Sequence, residues 1–284
     1  LGGSHIGHPG SEDEGIKLVR RAIDSGITFM DNCWDYHDGD SEVRMGKALR
    51  DGYRKKVFLM TKVDGRTKDA ANKQLEESLK RLQTDVLDLW QFHENIRMDD
   101  PDRFFAKGGA VEAFTDARKA GKVRFIGFTG HKDPAIHLRL LAVAKAHDFH
   151  FDTCQMPLNV MDAHFRSFAH LVLPELMKVG TAGLAMKTLG GGILLRSNTV
   201  SAVEAIHYAM NLPVATVICG IDNDRILDQA LEAAKNFQPM TKEQVGAILA
   251  KTKDAAAQGQ FELFKTTERF DGTARNPKWM GVAS

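Results

Sequence analysis

The chain is predicted to be an α/β protein, a (β/α)8 TIM barrel with an extra C-terminal helix and tail. Three observations predict this. Strand and helix signals alternate from end to end, which argues for parallel strands joined by right-handed crossovers. With the apolar start of the chain counted as a strand, the alternation makes eight units, enough to close a barrel. No Gly-x-Gly-x-x-Gly follows an early strand, which counts against an open doubly wound sheet. The length of 284 residues suits one such barrel.

Leu1-Gly2-Gly3 reads as the tail of the first strand, so the N-terminal part of that strand is expected upstream of residue 1. A polar loop with His5 and His8 follows. The run SEDEGIKLVRRAIDSG has a Ser cap, acids in its first turn, apolar residues at helical spacing and a closing Gly. Next come strand 27–31, helix 41–50 with Ser41 near its cap, and strand 57–61. Helix 69–82 sets Leu75, Leu79 and Leu82 on one face. Strand 86–92 leads into residues 94–107, read as the longest loop. Helix 110–119, strand 123–128, helix 134–147, strand 151–156 and helix 164–178 follow. Strand 182–186, helix 200–210, strand 214–218 and helix 223–236 complete the barrel. A further amphipathic helix, 241–257, opens on Thr241, and an irregular tail rich in aromatic and charged residues comes after it. Residues 1–236 are thus the barrel and 237–284 its appendage, in one domain.

Composition excludes several classes. A formal net charge of +1 provides no basic field for nucleic acid or a membrane surface. No run approaches the roughly 18 apolar residues of a membrane span. Cys33, Cys154 and Cys219 lie far apart and form no CxxC pair, so buried free thiols in a reducing compartment are expected. The expected location is cytoplasmic, read without sight of any export signal upstream of residue 1. The chain is expected to act as a monomer or homo-oligomer, with no metal.

Function is expected where strands end. The stretch GITFMDNCWDYHDGDSE, residues 26–42, places Asp31 at a strand end and Tyr36 five residues on. VFLMTK finishes on Lys62 and VLDLWQFH on His93. In a closed parallel barrel these ends ring one pocket, where the active sites of the fold sit. A free Tyr, with a pKa of about 10, is a reluctant proton donor near neutrality. A neighbouring ammonium favours the phenolate, and Lys62 is placed to be that neighbour.

Asp31, Tyr36, Lys62 and His93 resemble the catalytic tetrad of the aldo-keto reductases. GITFMD, SEVRMGKAL, FLMTKV and DLWQFH also resemble that family, in its order and spacing, and the likeness runs from residue 1 to about 235. The resemblance implies an NAD(P)H-dependent oxidoreductase reducing an aldehyde or ketone. In it Tyr36 would donate the proton, Asp31 would hold Lys62 charged, and His93 would orient the substrate oxygen. Thr129 and Gln155 match positions that grip the nicotinamide carboxamide. Gly130 stands where the family often has Asn, and His131 is the candidate replacement. Met186 takes the place of a ring that stacks on the nicotinamide. Leu189, Gly190, Gly191 and Gly192 resemble the pyrophosphate loop. Arg225 falls on the 2′-phosphate position, and Asp228 and Gln229 on the adenine contacts, which favours NADP(H) over NAD(H). Trp34, the 94–107 loop and the tail around Trp279 are expected to wall the substrate pocket.

Two other functions fit parts of the pattern. A metal-dependent hydrolase on the same barrel would use His5, His8, Lys62 and His93, although the expected His-x-His spacing is absent. A cofactor-holding regulatory subunit would keep the tetrad and turn over little.

Overall fold

The computed structural model describes residues 1–8 and 10–281. Seven parallel strands form one sheet in sequential order. They are β1 (Phe29–Met30), β2 (Phe58–Val63), β3 (Leu87–Phe92), β4 (Val123–Thr129), β5 (Thr153–Pro157), β6 (Ala182–Met186) and β7 (Thr216–Val217). Gly2 joins the two edges: it makes parallel bridges to both Asp31 and Gly220. Its N–H donates to Cys219 O at 2.8 Å, and Asp31 N–H donates to Leu1 O at 2.9 Å. The Leu1-Gly2 stretch therefore stands in the place expected of the first barrel strand.

Strand alternation then sorts the side chains. Met60, Leu89, Leu184 and Ile218 pack on one another as a small buried cluster, with Phe29 and Phe58 against it. Two and four residues further along the same strand faces come Lys62, Gln91 and His93. The opposite faces meet the helices. There Trp90 stacks on Phe114 with ring centroids 3.7 Å apart, and Phe92 stacks on Phe114 at 3.9 Å.

Helix starts follow local chemistry. Ser11 with Glu14, Ser201 with Glu204 and Thr241 with Gln244 close capping boxes at helices Glu12–Asp24, Ala202–Met210 and Lys242–Ala256. Three expectations are corrected. Helix 41–50 begins at Asp40 after Gly39, and the Ser41 hydroxyl is no cap, since it donates to Gly3 O at 2.7 Å. Residues 94–107 are not all loop: Asp100–Phe105 is a helix with Pro101 in its first turn. Its Asp100 carboxylate is buried against Arg66, Nε to Oδ1 3.0 Å. The span 164–178 is broken into Phe168–Leu171 and Leu173–Val179. The Asp162 carboxylate accepts from the N–H groups of Phe168 and Ala169 at 2.9 Å each, and Pro174 starts the second piece.

The tail folds back over the C-terminal ends of the strands. Glu94, just past β3, accepts from Gly272 N–H at 2.8 Å and Thr273 N–H at 2.7 Å. Behind it, Lys265 is fully buried between Asp162 and Glu262.

Candidate active site

The four expected residues converge. Lys62 Nζ ion-pairs with Asp31 Oδ1, donates to Asn32 O at 2.6 Å, and lies 3.3 Å from the Tyr36 hydroxyl. The Tyr36 and His93 rings meet edge to face at 5.9 Å. Tyr36 sits in a short 3₁₀ turn, Tyr36–Gly39, in which His37 and Asp38 both take positive φ. That tight turn brings the phenol back over the barrel mouth. Tyr36, Lys62 and His93 line a cleft of about 220 Å³. The tail supplies one wall, through Arg269, Phe270, Gly272 and Arg275.

Electrostatics departs from the simple ammonium argument. Burial, followed by Asp31, Cys33, Asp35 and Glu94, pushes the Tyr36 phenol well above its ordinary range. The Lys62 ammonium, bonded to Asp31 and 3.3 Å from the hydroxyl, does not offset these effects in the resting site. The resting Tyr36 is therefore a protonated hydroxyl. Burial holds His93 neutral, below the usual histidine range. Its Nδ1 faces Asp64 Oδ1 at 2.9 Å and Cys33 Sγ at 3.2 Å. Burial lifts the Asp64 carboxyl to about 7, against the pull of Arg66 and Lys62. A protonated Asp64 would donate to Nδ1 and leave the other ring nitrogen as the N–H donor.

The residues assigned to the cofactor are dispersed around the mouth. Thr129 and Gln155 are adjacent in register on β4 and β5. Gln155 Nε2 donates to Asp31 Oδ2 at 2.9 Å, while its buried Oε1 has no partner among the described residues. That orphan acceptor fits a carboxamide N–H₂. Gly130 is pinned: a Cβ there would lie 2.5 Å from Asn95 O. His131 is held by the tail, Nε2 to Asp271 Oδ1 3.1 Å. The Met186 sulfur is 3.9 Å from Thr129 Oγ1. Gly190, Gly191 and Gly192 all have positive φ, +56, +68 and +86°. Only glycine takes three such angles in a row cheaply, and the resulting turn can present N–H groups to phosphate. Arg225 is exposed in the first turn of helix Asp224–Lys235, without a side-chain partner among the described residues. Asp228 is paired with Arg21 at 2.5 Å, and Gln229 follows it, half-buried.

Trp34 and Trp279 pack edge to face at 5.7 Å, and Trp34 Nε1 donates to Glu77. They stand beside the cleft, while Phe270 and Asp35 line it. Sequence reasoning missed Lys187, which also lines the cleft and lies 4.9 Å over the Phe270 ring. Burial, and then Lys62, pull its ammonium below the usual lysine range. Its place directly after Met186 was the available signal. The rival set of His5, His8, Lys62 and His93 does not form. His5 stacks on His8, and Lys62 is committed to Asp31.

Fold and site together define a parallel α/β barrel with a buried Lys–Asp pair beneath a tyrosine at its mouth. The model of the Aldo/keto reductase family matches residues 1–204, and the chain belongs to that family. It is 34% identical over 177 residues to aldo-keto reductase YhdN of Bacillus subtilis, covering 57% of this chain and 48% of that protein. It is 28% identical over 221 residues to 6-dehydroglucose reductase of Novosphingobium aromaticivorans, covering 70% and 68%. The chain thus spans about half the length of the first of these relatives. Among solved structures, the holo form of aldo-keto reductase AKR11C1 from Bacillus halodurans superposes with a TM-score of 0.75. That match has 22% identity and covers 92% of this chain and 93% of that one. An aldo/keto reductase from Klebsiella pneumoniae, solved with NADP and acetate, gives 0.67 at 22% identity, covering 88% and 87%. No helix among the described residues is long and apolar enough to cross a membrane.

Proposed function

We propose that the protein is an NAD(P)H-dependent reductase of small aldehydes or ketones. One observation carries the reading: the Tyr36 hydroxyl lies 3.3 Å from Lys62 Nζ at the edge of an open cleft, with His93 across from it. The bound nicotinamide would supply a hydride to the carbonyl carbon. Thr129 and Gln155 would hold its carboxamide, the 189–192 turn its pyrophosphate, and Arg225 a 2′-phosphate, which favours NADP(H). Tyr36 would give its proton to the substrate oxygen as negative charge develops there. Lys62, paired with Asp31, would then stabilise the phenolate left behind. His93 would donate from the nitrogen facing the cleft and fix the angle of the carbonyl. The tail wall would exclude water. Arg269 and Arg275 in that wall, with Lys187 beyond β6, give the cleft a cationic character suited to a polar or anionic substrate. The test is direct titration of the purified protein with NADPH and NADH, followed by an aldehyde screen with the tighter binder. Saturable NADPH oxidation that depends on aldehyde is expected. Tight cofactor binding with no turnover on any carbonyl would overturn the reading in favour of a regulatory subunit.

A further inference from the structure

Behind His93 of the tetrad lies a buried cluster whose other members, Cys33, Asp35 and Asp64, have no part in the proposed reductase chemistry. Cys33 Sγ, Asp35 and Asp64 carboxylate oxygens and His93 Nδ1 all lie within 4.8 Å of one another. Cys33 and Asp64 are fully buried. His93 Nδ1 is 3.2 Å from Cys33 Sγ, 2.9 Å from Asp64 Oδ1 and 3.6 Å from Asp35 Oδ1. One ring nitrogen cannot satisfy all three, and Asp35 Oδ1 and Asp64 Oδ2 are buried without a hydrogen-bond partner among the described residues.

The neighbouring cations direct their hydrogen bonds elsewhere. Lys62 is matched by Asp31, and Arg66 by Asp100. The remaining Arg66 donors go to the main-chain oxygens of Asp64 and Glu94. His93 is the only ion-pair partner of Asp35 and of Asp64 among the described residues. Two carboxylates, a thiol and an imidazole therefore converge with no positive charge of their own.

We propose that this cluster is a four-ligand site for a thiophilic divalent cation of the zinc class, bound by Cys33, Asp35, Asp64 and His93 Nδ1. The donor set decides the class. A thiolate and an imidazole select against magnesium and calcium, which take oxygen ligands. Tetrahedral bonds of about 2.0–2.3 Å set ligand atoms roughly 3.3–3.8 Å apart. The observed spacings reach this with side-chain shifts of about an ångström. An ion on Nδ1 would also lock the proton on the other ring nitrogen, the one turned to the cleft. The site would thus fix His93 as a donor.

The test reads metal binding alone, so it stands or falls apart from any reductase activity. Metal-free protein is titrated with Co²⁺ and followed by absorbance. The expected result is one equivalent bound, with a near-ultraviolet thiolate-to-cobalt band and intense visible bands of a four-coordinate ion, all lost on adding Zn²⁺. Cys33→Ser should abolish the thiolate band. Asp64→Asn should weaken binding by more than the about 10–100-fold that losing an outer-shell partner costs. Far-ultraviolet circular dichroism establishes that each variant is folded, and the wild-type spectrum decides if either is not. No thiolate band in the wild type at stoichiometric Co²⁺ would overturn the proposal, leaving protons to fill the cluster. An unchanged band in folded Cys33→Ser would overturn it equally, by assigning the thiolate to Cys154 or Cys219.

Discussion

Lys265→Met should loosen the wall of the cleft from behind. Lys265 Nζ donates to Asp162 Oδ1 at 2.7 Å, Phe165 O at 2.7 Å and Glu262 Oε2 at 3.0 Å, with all three charged side chains fully buried. Removing one partner of a buried ion pair costs roughly 3–5 kcal/mol, because the other charge is left behind. Two features argue for the low end. Asp162 retains the amides of Phe168 and Ala169 and the Ser167 hydroxyl. Glu262, already lifted by burial to about 7, can take up a proton. The expected loss is therefore about 3 kcal/mol, or roughly 5 °C in melting temperature. It should also depend on pH. A folded pKa near 7 against the ordinary glutamate value of 4.5 means that Glu262 burial costs stability as pH rises between those values. Without the ammonium that pKa rises further, so the variant goes on losing stability above pH 7 where the wild type has levelled off. Urea denaturation at about pH 6 and about pH 8.5 measures both effects. The double variant Lys265→Met, Glu262→Gln should recover most of the difference at the higher pH. A loss below about 1 kcal/mol, or one that is equal at both pH values, would refute the reasoning.

Tyr36→Phe should lower kcat by about 10²–10⁴-fold and leave NADPH affinity within a few-fold, read by steady-state kinetics and fluorescence titration. Arg225→Ala should weaken NADPH about tenfold and NADH hardly at all, since an exposed guanidinium pairs with a 2′-phosphate at the low end of about 1.5–3 kcal/mol; equal weakening of both cofactors would show that Arg225 only shapes its loop. His137 is fully buried, and burial lowers its pKa to about 3. Its folded pKa lies below the unfolded one, so the wild type loses stability as pH falls from about 6.5 toward 3, by up to ~5 kcal/mol. His137→Leu should flatten that acid limb in thermal melts, and an unchanged limb would count against it.

The barrel was legible because its pattern is periodic. Each strand is an apolar run between capped helices, and neither signal needs a distant partner to be read. Asp31, Lys62 and His93 were legible for the same reason, as ionisable residues at the ends of such runs. Where long-range contacts override local preference, the sequence misled. Nothing near 164–178 announces that Asp162 will capture the amides of Phe168 and Ala169. Nor does the 94–107 stretch reveal that Arg66 will bury Asp100 at the start of a helix. The Cys33, Asp35 and Asp64 cluster was invisible because β1 and β2 bring it together only in space.

The closure of the barrel at Gly2 bears on Tyr36, the proposed proton donor. Elsewhere neighbouring strands are laced by runs of register pairs, but at this seam a single residue clasps both edges. Asp31 hangs on that clasp, its N–H on Leu1 O and its carboxylate on Lys62. Breathing of the seam would therefore tug the Asp31–Lys62 pair, and with it the tyrosine, before the rest of the barrel stirred. In native-state hydrogen exchange the Gly2 and Asp31 amides should open at much lower free energy than those of β3, so the fold's weakest hem and its proposed proton-transfer chemistry share one thread.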